Sequence, residues 1–183
     1  MAKARPHPWT VEDFLAFEAE ERERYEFVDG IVRMMTGASA AHSAIKLNIA
    51  LALRVVLGSG TCRVDVDDLK VVTESAVMYP DVLVTCRPLA PEDDRLSDPT
   101  VVVEVLPPTT ERHDRIAKWR QYQTIAALKH FVLVAQSERR VEVYSRAESG
   151  WEFISVEPPE DAVMLNAVGA TLSLEAMYEG SGR

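Results

Sequence analysis

The sequence has few features of a disulfide-stabilised, zinc-binding or membrane-spanning protein. Only two of its 183 residues are cysteines, Cys62 and Cys86, and they form neither a CxxC pair nor a zinc-binding spacing with histidine. We therefore predict two buried free thiols in a reducing compartment. No apolar run approaches the ~20 residues that a bilayer span needs. Residues 1–6 lack the apolar core of a secretion signal, so we expect a cytoplasmic protein without a membrane partner.

Positive charge is also scarce. The chain has 20 lysines and arginines against 29 aspartates and glutamates, which gives a formal net charge of −9. Nucleic-acid-binding proteins usually carry a basic excess, because neutralising phosphates supplies most of their non-specific affinity. The balance argues against tight DNA binding by a monomer. It does not exclude an acidic site whose bound divalent cations reverse the local field.

The composition is otherwise that of an ordinary globular protein. Apolar residues make up 47% of the chain and charged residues 27%, and this length is sufficient to bury one hydrophobic core. We find no internal repeat and no low-complexity linker. We therefore predict a single domain over residues 1–183, with 1–8 as a flexible tail.

Capping and turn residues predict where several elements begin and end. Thr10 and Ser39 suit the N-caps of two helices, and Gly58 suits the end of the second. Asp29-Gly30 between two β-prone runs predicts a hairpin, because both residues tolerate a positive φ. The other predicted elements are strands at 61–66, 69–73, 77–85, 100–106, 130–135, 141–145 and 151–156, a surface loop at 87–99, a helix at 111–124, and a short strand and helix within 171–178.

The segment 100–106 is nearly continuous β-branched apolar sequence, which predicts a central strand covered on both faces. With the helix at 111–124 and the strand at 130–135, it forms a candidate right-handed crossover. Antiparallel strands precede this unit, and the long helix at 39–57 is expected on one face of the sheet. The predicted fold class is therefore α/β (α+β): a mixed central β-sheet flanked by helices.

Two carboxylates interrupt the predicted strands, Asp81 directly after Pro80 and Glu104 within 100–106. Charged side chains are rarely buried without a partner or a metal ion. If the two strands are neighbours, the carboxylates converge at one sheet edge, where Mg²⁺ would bind their oxygens together with water. Such a cation polarises a phosphodiester and lowers the pKa of a bound water. Alternatively, Glu104 is a solvated strand-end residue and Asp81 a turn residue.

Lys118 adds a cation to this pattern. Asp114, Lys118 and Tyr122 share one face of the predicted helix at i, i+4 and i+8. From there the ammonium would reach a scissile phosphate or an attacking water and stabilise developing charge. The alternative is a surface ion pair between Asp114 and Lys118, worth only ~0.3–0.5 kcal/mol.

A set of segments in a fixed order between Trp9 and Tyr178 carries a family resemblance. They are Tyr25-Glu26-Phe27-Val28-Asp29-Gly30, His42, Pro80-Asp81-Val82, Val103-Glu104-Val105-Leu106-Pro107-Pro108-Thr109-Thr110, Asp114 with Lys118 and Tyr122, and Phe131-Val132-Leu133-Val134. Together they resemble the Uma-two family of restriction-endonuclease-like proteins in the PD-(D/E)xK nuclease superfamily. The resemblance implies a restriction-endonuclease-like fold, a Mg²⁺ site that Mn²⁺ could also fill, and DNA as the substrate.

The resemblance also implies roles for individual residues. Asp81 matches the first acid of the metal site and Glu104 the second, and the carbonyl of Val105 is expected to complete the protein ligands. Glu26 resembles an additional acid that related nucleases bring from an amino-terminal element. Its alternative is a surface position in the hairpin.

The chain departs from the superfamily pattern after Glu104. Lysine usually stands two residues beyond this acid, where the chain has Leu106, so the resemblance implies Lys118 as its substitute from the following helix. Pro107 stands where the family usually has serine, which removes a hydroxyl and a backbone N–H.

Four further polar residues are weaker candidates. His42 could act as a general base or be a capping or partly exposed residue of the long helix. Asp65, Asp67 and Asp68 could also bind a metal ion; most of them are expected to face solvent, although Asp68 could extend the acidic cluster.

Two functional hypotheses follow. The first is a Mg²⁺-dependent DNA endonuclease that works as a homodimer, with Asp81, Glu104, Lys118 and Glu26 as the catalytic group. The second is a catalytically inactive nuclease fold that acts as a DNA-binding or regulatory protein. A third, weaker hypothesis is an accessory protein whose dimer partner completes the site.

Overall fold

The computed structural model describes residues 8–106 and 114–183, without the side chains of Asp114 and Arg115. Most of the predicted tail, Pro107 and the start of the predicted helix 111–124 lie outside the described residues. The strands are β1 (Tyr25–Val28), β2 (Ile31–Met34), β3 (Arg63–Val66), β4 (Lys70–Val72), β5 (Ala76–Met78), β6 (Val82–Thr85), β7 (Arg95–Leu96), β8 (Val101–Leu106), β9 (His130–Ala135), β10 (Val141–Ala147), β11 (Gly150–Val156), β12 (Ala162–Leu165) and β13 (Ala170–Ser173). The helices are α1 (Val11–Glu18), α2 (Ala40–Leu57), α3 (Trp119–Tyr122), which continues a π-helical turn Asp114–Lys118, and α4 (Leu174–Tyr178).

A six-stranded sheet forms the centre of the structure, in the order β11-β10-β9-β8-β6-β3. β8 and β9 are parallel, as the predicted crossover requires, and the other neighbouring pairs are antiparallel. All six residues of β8 and of β9 are buried, because both strands lie in the interior of the sheet and both sheet faces are covered. The predictions of a central strand and of a mixed α+β sheet are therefore confirmed.

A second, five-stranded sheet has the order β2-β1-β5-β4-β7. Its first two strands form the predicted hairpin, whose turn residues Asp29 and Gly30 have φ values of 50° and 82°. Aspartate and glycine are suited to this turn because they tolerate positive φ better than most residues do.

The central sheet separates two hydrophobic cores. The α2-side core contains Ile45, Ile49 and Leu53 of α2 packed against one sheet face, together with residues of β12, β13 and α4. The α3-side core lies between the other sheet face, the five-stranded sheet and α3, and Tyr122 is fully buried in it. Alternate residues of β8 belong to alternate cores, because successive side chains of a strand point to opposite faces.

The predicted helix starts are confirmed. Thr10 caps α1 and forms a capping box with Asp13, and Ser39 caps α2 by accepting a hydrogen bond from the His42 backbone N–H. Gly58 follows α2 with a φ of 54°. These short polar and glycine residues therefore set the limits of the longest helix, as the sequence predicts.

Two predictions about strand limits are wrong. The predicted strand 77–85 is divided into β5 and β6, which belong to different sheets, because Tyr79, Pro80 and Asp81 interrupt it. Proline has no N–H to donate to a strand ladder. The predicted loop 87–99 contains the two-residue strand β7, which pairs with β4.

The prediction of free thiols is also wrong, because Cys62 and Cys86 form a disulfide bond. β3 and β6 are antiparallel with Arg63 opposite Thr85, so the next pair outward places the two cysteines side by side. The pairing depends on strand register, which the spacing of 24 residues does not reveal. The cysteines therefore give no support to a reducing compartment.

Within the described residues, α2 alone has the length and composition of a possible membrane span, with a mean hydropathy of 1.4 over 18 residues. The prediction that no apolar run approaches the length of a membrane span did not take this helix into account. One side of α2 packs in the α2-side core through Ile45, Ile49 and Leu53, as in the core helix of a folded domain.

Candidate functional site

Glu104 lies at the centre of the candidate site. It belongs to β8, where Val103 and Val105 face the α2-side core and Val102 and Leu106 face the α3-side core. The alternation of a strand directs Glu104 to the α3 side, and only 4% of its surface is exposed. The alternative of a solvated strand-end residue is therefore wrong for Glu104.

Lys118 supplies the cation that faces Glu104. Its Nζ lies 3.3 Å and 3.2 Å from the two carboxylate oxygens of Glu104 and 2.8 Å from Oε1 of Glu26. Lys118 is 5% exposed and Glu26 is 8% exposed. A charged amine at this depth needs a partner of opposite charge. Lys118 lies between two buried carboxylates. The alternative prediction, which placed Lys118 on the surface in an ion pair with Asp114, is therefore wrong about the burial of Lys118.

Two further hydrogen bonds fix the carboxylates around Lys118. The hydroxyl of Tyr122 donates to Oε1 of Glu104 at 2.9 Å, and the backbone N–H of Tyr79 donates to Oε1 of Glu26 at 3.0 Å. Lys118 and Tyr122 are four residues apart, so they lie on one side of the short helix. This spacing lets both residues contact the same glutamate.

Asp81, the residue directly before β6, reaches the same segment of the neighbouring strand β8. Its Oδ2 accepts a hydrogen bond from the backbone N–H of Val105 at 2.7 Å, and its Oδ1 lies 2.7 Å from Nε2 of His42. β6 and β8 are antiparallel with Val82 opposite Val103, so the next residues, Asp81 and Glu104, are opposite each other. The interruption at Pro80 thus places Asp81 beside the strand that carries Glu104.

The structure brings the predicted residues to one corner of the sheet, where they form two separate groups of contacts. Glu26, Glu104 and Lys118 contact one another, whereas Asp81 contacts the Val105 N–H and His42. Within residues 8–106 and 114–183 no three histidine, cysteine, aspartate or glutamate side chains are grouped as metal ligands. The side chain of Asp114 lies outside the described part.

The other aspartates of the region have their side chains in separate ion pairs, although the backbone N–H of Asp67 donates to the carbonyl of Asp81 at 3.4 Å. Asp68, the possible addition to the cluster, forms an ion pair with Arg24, and its side chain is 78% exposed. Asp67 binds Lys46, and Asp65 binds Arg63. The expectation of solvent exposure is therefore met by Asp68 and in part by Asp67, whose side chain is 41% exposed, but not by Asp65, whose side chain is 13% exposed.

The contact between His42 and Asp81 is the part of the site that the sequence did not predict. His42 was a candidate general base, but the structure makes it the partner of an acid 39 residues further along the chain. Its position in the first turn of α2, directly after the Ser39 cap, fixes where the ring points. No spacing rule connects His42 with Asp81, because the contact depends on how α2 packs on the sheet.

Tyr79 connects this corner with a second polar cluster. Its hydroxyl donates to Glu18 at 2.6 Å, and Lys70 lies 3.3 Å from the same carboxylate. Burial and the Glu18 carboxylate raise the pKa of Tyr79 above its usual range, so the phenol stays protonated at neutral pH. The cluster therefore orients the Tyr79 backbone that binds Glu26.

One family model matches residues 11–176 of the chain. It is Uma2, whose description reads "Putative restriction endonuclease". The chain is also 31% identical over 172 residues to the uncharacterized protein slr1290 of Synechocystis sp. (strain ATCC 27184 / PCC 6803 / Kazusa), across 92% of this chain and 90% of the relative. The uncharacterized protein sll1609 of the same strain is 29% identical over 142 residues, across 75% of this chain and 80% of its own length.

A solved structure has a similar fold. It is the crystal structure of a "putative nuclease belonging to DUF820" from Anabaena variabilis ATCC 29413, with a TM-score of 0.76 over 93% of this chain and 98% of the other. The sequence identity of 19% limits this likeness to the fold. It confirms the restriction-endonuclease-like arrangement of a mixed sheet and flanking helices.

Proposed function

The chain belongs to the Uma2 family, and we propose that it is a Mg²⁺-dependent endonuclease that hydrolyses DNA phosphodiester bonds. The observation that carries this proposal is the buried Lys118 ammonium, which lies within 3.3 Å of oxygens of both Glu26 and Glu104. The next peptide N–H after Glu104 binds Asp81. Three acids and one lysine from four separate segments thus meet at the Glu104–Val105 segment of β8.

The donors at this corner have the right chemistry for Mg²⁺. Asp81, Glu104 and the carbonyl of Val105 would hold the ion, because Mg²⁺ prefers hard oxygen ligands and usually takes one or two carboxylates with several waters. We expect Mn²⁺ to substitute. When bound, the cation would supply Lewis-acid polarisation of the phosphate and a bound water of lowered pKa.

The side chains around the carboxylates would stabilise charge on the substrate or hold the site residues in position. The Lys118 ammonium would stabilise negative charge that develops on the phosphate oxygens, and this effect is strong because the site is shielded from water. Glu26 holds Lys118 in place. Tyr122 fixes the orientation of Glu104, and His42 fixes that of Asp81. Tyr122 and His42 would therefore act as positioning residues.

Cleavage of supercoiled plasmid tests the proposal. We expect nicking in Mg²⁺ or Mn²⁺ that a chelator abolishes, and we expect Glu104→Gln to slow it by about 10²–10³-fold, the usual cost of losing one electrostatic contact to the transition state. The matched control is Glu142→Gln, since Glu142 is a 5% exposed strand glutamate two strands away in the same sheet. Glu142→Gln should change the cleavage rate less than about threefold, because Glu142 contacts none of the candidate site residues in the described part of the chain.

Two outcomes would contradict the proposal. One is a folded protein, verified by circular dichroism, that cuts no supercoiled, linear or single-stranded DNA with either cation. The other is an equal loss of cleavage in Glu104→Gln and Glu142→Gln, which would point to a general loss of structure.

The second candidate function is a catalytically inactive nuclease fold that binds DNA or regulates a partner. Leu106, at the position where the superfamily has lysine, is 3% exposed in the α3-side core. Both oxygens of Asp81 already have partners in His42 and Val105. This function predicts that calorimetry shows no Mg²⁺ or Mn²⁺ binding and that cleavage is absent while DNA is still retained on a filter.

A further inference from the structure

The longest helix presents an apolar face to solvent. Four of the ten large apolar side chains that are exposed among the described residues lie on α2: Leu47 (56%), Leu51 (54%), Val55 (80%) and Val56 (46%). Leu47, Leu51 and Val55 lie on one side of the helix, and we call these three residues the α2 stripe. Val56 follows Leu47 by nine residues and therefore points to the opposite side. Leu47, Leu51 and Val55 recur every four residues, so they form one continuous ridge along the helix.

The α2 stripe lies on a helix without negative charge. Ala40–Leu57 contains no aspartate or glutamate, although the whole chain has 29 of them and a net charge of −9. Of its two cations, Lys46 binds both oxygens of Asp67 on the neighbouring segment, at 2.8 Å and 2.7 Å. Arg54 is exposed near the end of the helix.

This charge pattern favours a second copy of the chain as the occupant. Twofold pairing brings the same patch of both copies together, so charges on that patch meet charges of the same sign. In a chain of net charge −9, a face without carboxylates is where two copies approach at the lowest electrostatic cost. A nucleic acid or an anionic membrane would instead favour a row of cations, and α2 offers only Arg54 beside the stripe.

The area and the shape of the stripe also suit a second copy. Its three side chains expose on the order of 300 Å² of apolar surface, about two-thirds of the apolar share of the ~800 Å² that each partner of a standard interface buries. The ridge of residues four apart packs into the corresponding groove of an identical helix, which is the commonest way that helices cross. The opposite side of α2 is already buried through Ile45, Ile49 and Leu53.

We propose that two copies of this chain associate through the α2 stripe to form a twofold dimer. The inference does not depend on the nuclease proposal. It has a consequence for the candidate site, because His42, which contacts Asp81, lies in the first turn of the same helix. The dimer contact and one partner of the site therefore share a single rigid element.

Light scattering coupled to size-exclusion chromatography tests the proposal at protein concentrations from micromolar to tenths of millimolar. The wild-type chain should have twice the 20.4 kDa mass of one copy. Leu47→Glu/Leu51→Glu should have the mass of one copy, with a dimer Kd raised at least about 30-fold, because it places charges at the centre of the contact. Both side chains are more than half exposed, so the change leaves the core intact.

The matched control is Ile31→Glu/Met34→Glu. These two residues are 51% and 54% exposed and lie on β2, at the edge of the other sheet. The control should remain dimeric. A wild-type chain that stays at 20.4 kDa at the highest concentration would overturn the proposal, and so would loss of the dimer in the β2 control but not in the α2 variant.

A covalent assay checks the contact without introducing charge. Both natural cysteines form a disulfide, so Leu51→Cys adds a single thiol near the middle of the stripe. Mild oxidation should cross-link Leu51→Cys into a covalent dimer, whereas Met34→Cys should form no cross-link between copies. Flotation with phosphatidylcholine vesicles provides the competing outcome: wild-type binding that Leu47→Glu/Leu51→Glu loses would identify a lipid surface as the occupant and overturn the dimer.

Discussion

Two buried glutamates of the same sheet have different surroundings. Glu104 in β8 and Glu142 in β10 both pair with Leu133 of β9, and they are 4% and 5% exposed. The described partner of Glu142 is Arg140, two residues away on the chain, at 3.3 Å. The described partners of Glu104 are Lys118 and Tyr122, which are 14 and 18 residues away on another element.

The comparison shows that a buried charge alone does not identify a site. A local ion pair such as Arg140 with Glu142 can form wherever a strand carries opposite charges at nearby positions. A lysine shared by two acids from different sheets, Glu26 and Glu104, requires that several segments fold to one point. Such convergence of ionisable groups is the stronger indication of function.

The largest expected difference between Glu104 and Glu142 is the loss of stability when the cationic partner of each is removed. Lys118→Met leaves the buried carboxylates of Glu26 and Glu104 without their shared ammonium, and we expect a loss of about 3–5 kcal/mol in the free energy of unfolding. Arg140→Met should cost less than half as much, because the Arg140 side chain is 30% exposed. Urea unfolding at pH 7 measures both values. Equal losses would mean that the two glutamates are equivalent.

Removing the Tyr122 hydroxyl should have a smaller effect on the stability of the Glu104 site. Tyr122→Phe keeps the ring against Phe131, whose centroid is 5.0 Å away, but removes the hydrogen bond to Glu104. We expect a loss of about 1–2 kcal/mol, since a buried charged acceptor loses one donor. Tyr25→Phe is the control, because the described residues offer its hydroxyl no hydrogen bond while its ring packs on Phe17. Equal melting curves for both variants would refute the role of the hydroxyl.

His130 provides a buried titratable group outside the candidate site. Its Nε2 accepts from the Ala167 N–H at 3.1 Å, its Nδ1 lies 2.9 Å from Ser145 Oγ, and burial lowers its pKa below 6.5. The unfolded chain therefore binds a proton more readily as the pH falls below about 6.5. His130 should stabilise the fold above that pH and lose this contribution on acidification.

Unfolding curves between pH 8 and pH 5 check this effect against His130→Gln. The wild type should lose more stability than the variant over the acidic part of the range. Cleavage at pH 8 should be the same in both proteins, because His130 lies outside the Glu104 corner. Parallel stability curves would show that His130 does not titrate in this way.

The smallest effect is expected for Asp68. Its ion pair with Arg24 is mostly solvent-exposed, so Asp68→Ala should change the free energy of unfolding by less than about 0.5 kcal/mol. Cleavage should also stay within about twofold of the wild type. A loss of activity comparable to that of Glu104→Gln would extend the candidate site to this loop.

Much of the fold was predictable because its signals are local. Asp29-Gly30 predicts the hairpin, Ser39 and Gly58 predict the limits of α2, and the valine-rich run predicts β8. Each signal depends on backbone conformation or side-chain period within a few residues. The predicted strand 77–85 was wrong because an apolar run does not show which sheet each of its parts joins.

The candidate site was predictable only as a set of residues. Glu26, Asp81, Glu104 and Lys118 could be named from the chain, but their contacts could not. His42 was left without a partner, and Cys62 and Cys86 were predicted to be free. All three depend on the packing of α2 or on strand register, and neither of these can be read from spacing.

The sequence by itself determined the hairpin at Asp29-Gly30, the limits of α2 and the central strand β8, and it placed one carboxylate in that strand and another directly after Pro80. Tertiary structure alone decided that Lys118 lies between Glu26 and Glu104, that Asp81 binds the Val105 N–H, and that the α2 stripe faces solvent. The physical reason is range. Capping, turn formation and side-chain alternation act within a few residues, whereas an ion pair between distant segments exists only after the sheets and helices have packed together.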